Sequence, residues 1–81
     1  MELRFTERAW GQLRKLPREA ARRLVFKLEE ATVDPRRHLV RLRGVQSYRL
    51  RVGDYRAVVD LDWTAGVLWV LGVHHRSDAY R

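Results

Sequence analysis

The sequence contains no cysteine, two prolines and two lysines, whereas 15 of its 81 residues are arginine. Without cysteine neither a disulfide framework nor a thiolate metal site can form, so we expect a reducing, cytoplasmic location. No apolar window approaches the roughly 18 residues that a membrane-spanning helix needs. No charged segment followed by an apolar run opens the chain either, so no signal peptide is predicted. We expect a soluble protein that binds no membrane.

The length of the chain limits the number of domains, and the distribution of its charge indicates the kind of partner. A chain of 81 residues with 46% apolar residues can bury one small core, which predicts a single domain over residues 1–81. The net charge of +7 is concentrated, because residues 36–56 carry seven arginines and one aspartate. Such a segment favours contact with nucleic acid or with an acidic protein. A solvated basic loop would carry the same charges.

The central stretch of the chain, residues 48–60, alternates apolar and polar residues around Gly53-Asp54. This pattern is typical of a β-hairpin with a two-residue turn. If Val52 pairs with Tyr55, one face of the hairpin is apolar and the other carries three arginines: Arg49, Arg51 and Arg56. Like charges directly opposite each other destabilise a strand pair, so a bound polyanion would relieve their repulsion.

The N-terminal half predicts a short strand over residues 2–5 followed by two helices. Thr6 is a plausible N-cap for a helix that begins near Glu7, with Phe5 and Trp10 placed as a hydrophobic staple. Helical spacing then predicts one buried apolar stripe on this helix, formed by Ala9, Trp10, Leu13 and Leu16. The second helix follows Pro17, and its stripe comprises Ala21, Leu24, Val25, Leu28 and Ala31.

The rest of the chain completes the predicted fold. Asp34-Pro35 ends the second helix, because the residue before proline avoids helical angles. Residues 36–44 predict a loop with at most a short extended piece, and the apolar run 67–73 predicts a strand buried in the middle of a sheet. The order β-α-α-β-β-β predicts an α+β fold in which two N-terminal helices, an αα-hairpin, pack on one face of a largely antiparallel four-stranded sheet.

The last predicted strand ends in His74-His75-Arg76. Adjacent strand residues point to opposite faces and no third ligand lies at metal-like spacing, so no metal site is expected. Histidine is the side chain best suited to exchange protons near neutral pH, and one of the two must share the face of the arginines. If Asp62 pairs with Val67, a regular ladder gives His75. A shift by one residue gives His74.

Two segments that follow the two predicted helices, YRLRVGDYRAVVDLD and VLWVLGVHHRSDAY, resemble a known family. Their combination of Y-x-L-R-x-G-D-Y-R with a terminal R-S-D-x-Y resembles the RelE toxins of bacterial and archaeal type II toxin-antitoxin systems, within the RelE/ParE superfamily. The resemblance implies a ribosome-dependent endoribonuclease that cleaves mRNA without a cofactor. It also implies that a cognate antitoxin holds the protein inactive.

The resemblance also implies a set of site residues. Matching the motifs places the catalytic positions at Arg49, Arg51, Arg56, His74, Arg76 and Tyr80. His74 is a departure, because the family has an arginine at the position that it occupies, and Arg76 follows two residues later. Arginine also replaces lysine at both positions of the first hairpin strand. Further contacts to RNA are expected from Arg41, Arg43 and His75.

Metal-independent RNA cleavage requires a base for the attacking 2′-OH, positive charge on the phosphorane and an acid for the departing 5′-oxygen. Arginine supplies the charge but stays protonated in proteins, which leaves proton transfer to Tyr80 and to His74 or His75. Tyr80 could instead stack on a base. Two alternatives remain open at this point: a non-nucleolytic toxin resembling ParE that acts on DNA gyrase, and an inactive homologue that only binds the antitoxin.

Overall fold

The computed structural model describes residues 1–44 and 46–77 as three helices packed on a five-stranded sheet. The elements in chain order are β1 (Glu2–Phe5), α1 (Glu7–Arg14), α2 (Arg18–Val33), α3 (Pro35–His38), β2 (Val40–Arg41), β3 (Tyr48–Val52), β4 (Tyr55–Asp62) and β5 (Val67–His75). The strand order across the sheet is β1-β5-β4-β3-β2. Among the described strands, only β1 and β5 pair in parallel. Because β5 also pairs antiparallel with β4, it is an interior strand with a neighbour on each side.

The predicted α+β class and the segregation of the two long helices are confirmed, with one strand and one helical turn more than expected. The additional strand is β2, where Val40 pairs with Arg49 and Arg41 pairs with Tyr48. The additional turn is α3. Asp34-Pro35 ends α2 as predicted, but proline also suits the first position of a new helix, and α3 begins there.

The start of α1 shows the predicted cap and staple. The Ala9 N–H donates to Thr6 Oγ1 at 3.1 Å, and the rings of Phe5 and Trp10 meet edge to face with centroids 5.9 Å apart. The prediction that Trp10 lies in the core is wrong, because 51% of it is exposed while Ala9 and Leu13 are buried. Its ring packs against Phe5, which precedes the helix, and does not lie between the helix and the sheet.

The core lies between the helices and one face of the sheet. From α2 it takes Leu24, Leu28 and Ala31, as the helical spacing predicts, and from the strands the alternate residues Leu50, Ala57, Val59, Leu68 and Val70. Period-two alternation turns the intervening strand residues to the opposite face. We call that second surface the outer face of the sheet. Among the described helices, none combines the length and the apolar character that crossing a bilayer requires.

Candidate active site

The β3-β4 hairpin has the predicted register, with Val52 opposite Tyr55 and Leu50 opposite Ala57. Gly53 has a φ of 59°, whereas among the described residues no non-glycine residue has a positive φ. Positive φ at the first turn position alone matches a type II′ turn, which suits the right-handed twist of paired strands. The turn thereby fixes the pairing that sends the arginines of both strands to the outer face.

Three basic side chains form a row across three neighbouring strands. Arg51 on β3 lies directly opposite Arg56 on β4, which in turn lies opposite His74 on β5. Directly opposite residues share one face, and neighbouring strands are about 4.8 Å apart, so this basic row spans roughly 10 Å of the outer face. Arg49 lies two residues before Arg51 on the same face of β3. The row brings together three of the predicted catalytic residues.

A β-bulge decides that His74, and not His75, joins the row. The β4-β5 ladder starts with Asp62 opposite Val67, but a register shift between Val58 and Val59 leaves one residue of β5 without a partner. That residue is Leu71. The expectation that the Asp62-Val67 register places His75 beside Arg56 is therefore wrong, because one inserted residue exchanges the faces of everything after it.

His75 is held on the other side of the sheet. It lies opposite Tyr55, and the two rings meet edge to face at 5.2 Å. Its Nδ1 lies 2.8 Å from Ser77 Oγ and accepts a bond from the Ser77 N–H at 3.2 Å. These contacts tie His75 to the turn after β5, and the structure does not bring it to the face that carries the arginines.

Arg76 directly follows β5 and lies beside the hairpin turn. Its backbone N–H donates to the Asp54 carbonyl oxygen at 2.6 Å, which fixes the end of β5 against the turn. An open cleft of about 440 Å³ lies here, lined by Arg51, Arg56, Arg76 and Ser77. Three cations line this cleft and no carboxylate does among the described residues, so it favours an anionic ligand such as a phosphate.

Two predicted residues, Arg41 and Arg43, lie away from the basic row, and a third, Tyr80, is outside the described residues. Arg41 lies opposite Tyr48 and hence on the core-side face, and it lines a separate cleft of about 520 Å³ with Arg43. The structure does not bring these two arginines together with the basic row. In the described ranges, no three side chains of the metal-binding types come together.

Two residues next to His74 were missed by the sequence analysis. Gln12 on α1 accepts a bond from the Val73 N–H through Oε1 at 2.8 Å. An ideal Cβ built on Gly72 would lie 2.8 Å from His74 Nε2 and 3.4 Å from the Gln12 Oε1. A glycine inside a strand pattern signals a bulge or a close approach, so Gly72 could have been found from the sequence. Gln12 carries no such signal.

The comparison with protein families decides the identity. The family model described as the ParE toxin of the type II toxin-antitoxin system parDE matches residues 3–80. The chain belongs to this family. It is therefore a toxin of the RelE/ParE superfamily of type II toxin-antitoxin systems, as the motifs indicate.

Solved structures of RelE toxins resemble this RelE/ParE toxin closely. A chain of the RelBE2 toxin-antitoxin complex from Mycobacterium tuberculosis has a TM-score of 0.84 and 30% identity, with 95% of this chain and 92% of that chain covered. The isolated RelE toxin of E. coli has a TM-score of 0.81 and 31% identity, with coverages of 98% and 89%. Among curated proteins, a sequence comparison finds no significant match.

Proposed function

We propose that this RelE/ParE toxin is a metal-independent endoribonuclease that cuts mRNA on the ribosome, in the cytoplasm, and that a cognate antitoxin neutralises it. The observation that carries the proposal is the basic row, in which His74 and Arg51 flank Arg56 on the outer face of the sheet. Guanidinium groups bind phosphate, and a neighbouring imidazole can exchange a proton at the same phosphate. A purely structural hairpin has no need of this arrangement.

The proposed reaction is transesterification within one RNA strand. The 2′-oxygen forms a bond to the adjacent phosphorus, the bond from phosphorus to the 5′-oxygen breaks, and the proton removed from the 2′-OH is balanced by one given to the leaving oxygen. Arg51, Arg56 and Arg76 line the cleft and would stabilise the charge that develops on the phosphorane. His74 would exchange one of the two protons, and Tyr80 is proposed for the other.

The antitoxin is proposed as a chain with an acidic segment that covers the basic row. The matched complexes from Mycobacterium tuberculosis and E. coli are toxin-antitoxin complexes, which supports a partner of this kind. Arg49, Arg51 and Arg56 would contact carboxylates of the partner. If these contacts contribute much of the affinity, the complex weakens as salt rises, because screening acts on exposed charge pairs. A complex that is indifferent to salt would contradict this mode of silencing.

The proposed function is tested by comparing cleavage of free RNA with cleavage of mRNA on programmed ribosomes. In the described part of the basic row, His74 is the one side chain suited to proton transfer near neutral pH. The ribosome is therefore expected to position the substrate, which can supply several kcal/mol. We expect slow cutting of naked RNA and fast cutting of the same message on ribosomes. Equal rates on both substrates would overturn the ribosome dependence.

A second candidate comes from the name of the matching family, which is ParE. A toxin resembling ParE would act on DNA gyrase through protein contacts and would need no His74 beside the arginines. The two functions differ in what they do to cells. Expression of an active ribonuclease would stop translation and leave cut mRNA, whereas a gyrase toxin would damage DNA, and an inactive homologue would do neither.

A further inference from the structure

The β-bulge that brings His74 to the outer face lies where β5 loses its neighbour β1. The parallel ladder ends with Phe5 opposite Val70, and the Thr6 N–H then donates to the Val70 carbonyl oxygen at 3.0 Å. Beyond this point the edge of β5 that faced β1 has no strand to pair with. Backbone groups on that edge need other partners, because a partly buried donor without an acceptor is costly.

The first helix supplies those partners. Thr6 Oγ1 donates to the Leu71 carbonyl oxygen at 3.4 Å, and the Val73 N–H donates to Gln12 Oε1 at 2.8 Å. Hydrogen bonds from α1 and its N-cap therefore fix the backbone at the bulged residue Leu71 and at Val73. Val73 is the residue directly before His74, so the Gln12 bond fixes the backbone from which the His74 side chain projects.

The His74 ring occupies space that is free because Gly72 has no side chain. Gly72 and His74 are two residues apart and share the outer face, and the ring folds back so that Nε2 comes within 2.8 Å of an ideal Cβ on Gly72. Real Cβ atoms do not come this close to another heavy atom, so any other residue at position 72 would push the ring away. Gly72 is not among the positive-φ glycines, hence its backbone accepts alanine.

We propose that Gln12 and Gly72 are positioning residues for His74, one by fixing the backbone after the bulge and the other by leaving the space that the imidazole occupies beside Arg56. Neither touches the substrate in the proposed reaction. The consequence for catalysis rests on the proposed function, whereas the placement of the ring does not. Gln12 acts through one hydrogen bond and Gly72 through the absence of a Cβ atom. Substitutions can therefore test the two effects separately.

The first experiment uses Gly72→Ala with Gly11→Ala as the matched control. An ideal Cβ on Gly11, in α1, meets nothing within 4 Å. The imidazole signals of the protein's three histidines are recorded by NMR, and those of His74 are assigned from a His74→Gln variant. We expect Gly72→Ala to shift the His74 signals, to leave those of His38 unchanged and to retain the circular dichroism of the parent, while Gly11→Ala shifts none of the three.

The second experiment tests the hydrogen bond between Gln12 and the Val73 backbone independently of the space at Gly72. Gln12→Leu removes the acceptor of the Val73 N–H, and Gln12→Glu keeps an oxygen at the same place. We expect Gln12→Leu to speed hydrogen exchange of the Val73 amide and to shift the His74 signals, and Gln12→Glu to restore the slow exchange. Unchanged exchange in Gln12→Leu, or unchanged His74 signals in Gly72→Ala, would overturn the assignment.

Activity is measured as cleavage of mRNA on ribosomes. Displacing a catalytic group by about 1 Å can cost about 100-fold, so we expect Gly72→Ala to lower kcat by about that factor with little change in KM. An unchanged kcat in a variant whose His74 signals have moved would overturn the positioning role. If the parent cuts no RNA at all, the proposed function fails, and the NMR and exchange measurements alone decide the placement.

Discussion

Arg56 on β4 lies directly opposite His74 on β5, on the face of the sheet that the core does not use. Arg51 continues the same row on β3, so a fixed cation stands between a second cation and an imidazole. The order results from a regular pairing of β3 with β4 and a bulged pairing of β4 with β5.

Replacing Arg56 with alanine is expected to abolish most of the proposed activity while the fold persists. Arg56 is half-buried on the outer face, at the middle of the basic row. Removing one preorganised group that stabilises transition-state charge typically costs a factor of about 100 to 1000 in kcat. Cleavage of mRNA on ribosomes measures this, with Arg14→Ala on the exposed side of α1 as the control. An unfolded Arg56→Ala variant would refute the placement of this side chain.

Replacing Arg51 with threonine is expected to stabilise the protein and to lower the proposed ribonuclease activity. Arg51 and Arg56 are like charges directly opposite each other, an arrangement that costs a few tenths of a kcal/mol or more. Urea unfolding at low salt should show the gain, and it should shrink as salt screens the repulsion. Arg49→Thr is the control, since Arg49 faces Val58. Equal gains in both variants would show that the opposed charges are not the cause.

Alanine at Gly53 is expected to destabilise the protein more than alanine at Asp54. Gly53 has a φ of 59°, which costs an L-residue about 1–2 kcal/mol, whereas Asp54 lacks a positive φ. Space is not the reason, because a Cβ on Gly53 meets only the Arg23 guanidinium at 3.9 Å. Thermal unfolding of the two variants compares them. A similar loss in both would mean that the turn is not of type II′.

Alanine at Gly11 is expected to stabilise the protein by about 0.5–1 kcal/mol without changing activity. Gly11 lies inside α1, where glycine costs that much relative to alanine, and the added methyl group meets no atom within 4 Å. The midpoint of urea unfolding should rise while the rate of mRNA cleavage stays at the parent value. A lower midpoint would show that α1 is not a regular helix at this residue.

The hairpin could be predicted residue by residue because its two determinants are local. Alternation with period two sets the faces, and Gly53-Asp54 sets the turn, so the register from Tyr48 to Val59 follows without knowledge of the rest of the fold. The two helices followed from helical spacing and from Pro17 and Pro35. Local patterns of this kind involve residues close in sequence, so they can be recognised without the tertiary structure.

The position of His74 could not be predicted because a distant contact accompanies it. The apolar run from Val67 to Val73 has no alternation that would mark Leu71 as an extra residue. Gln12 lies 61 residues away from its partner Val73, and no spacing rule relates them. Trp10 shows the same limit in a helix, since spacing gives the direction of a side chain but not whether another element covers it.

The parallel pairing of β1 with β5 has a consequence for how the toxin comes into being. A chain emerges from the ribosome with its N-terminal part first, so β1, both long helices and the hairpin are all synthesised before β5. Until β5 arrives, β1 has no strand to pair with and the basic row lacks its histidine. A nascent chain that has not yet added β5 therefore carries the hairpin arginines without the histidine that lies opposite Arg56 in the folded protein.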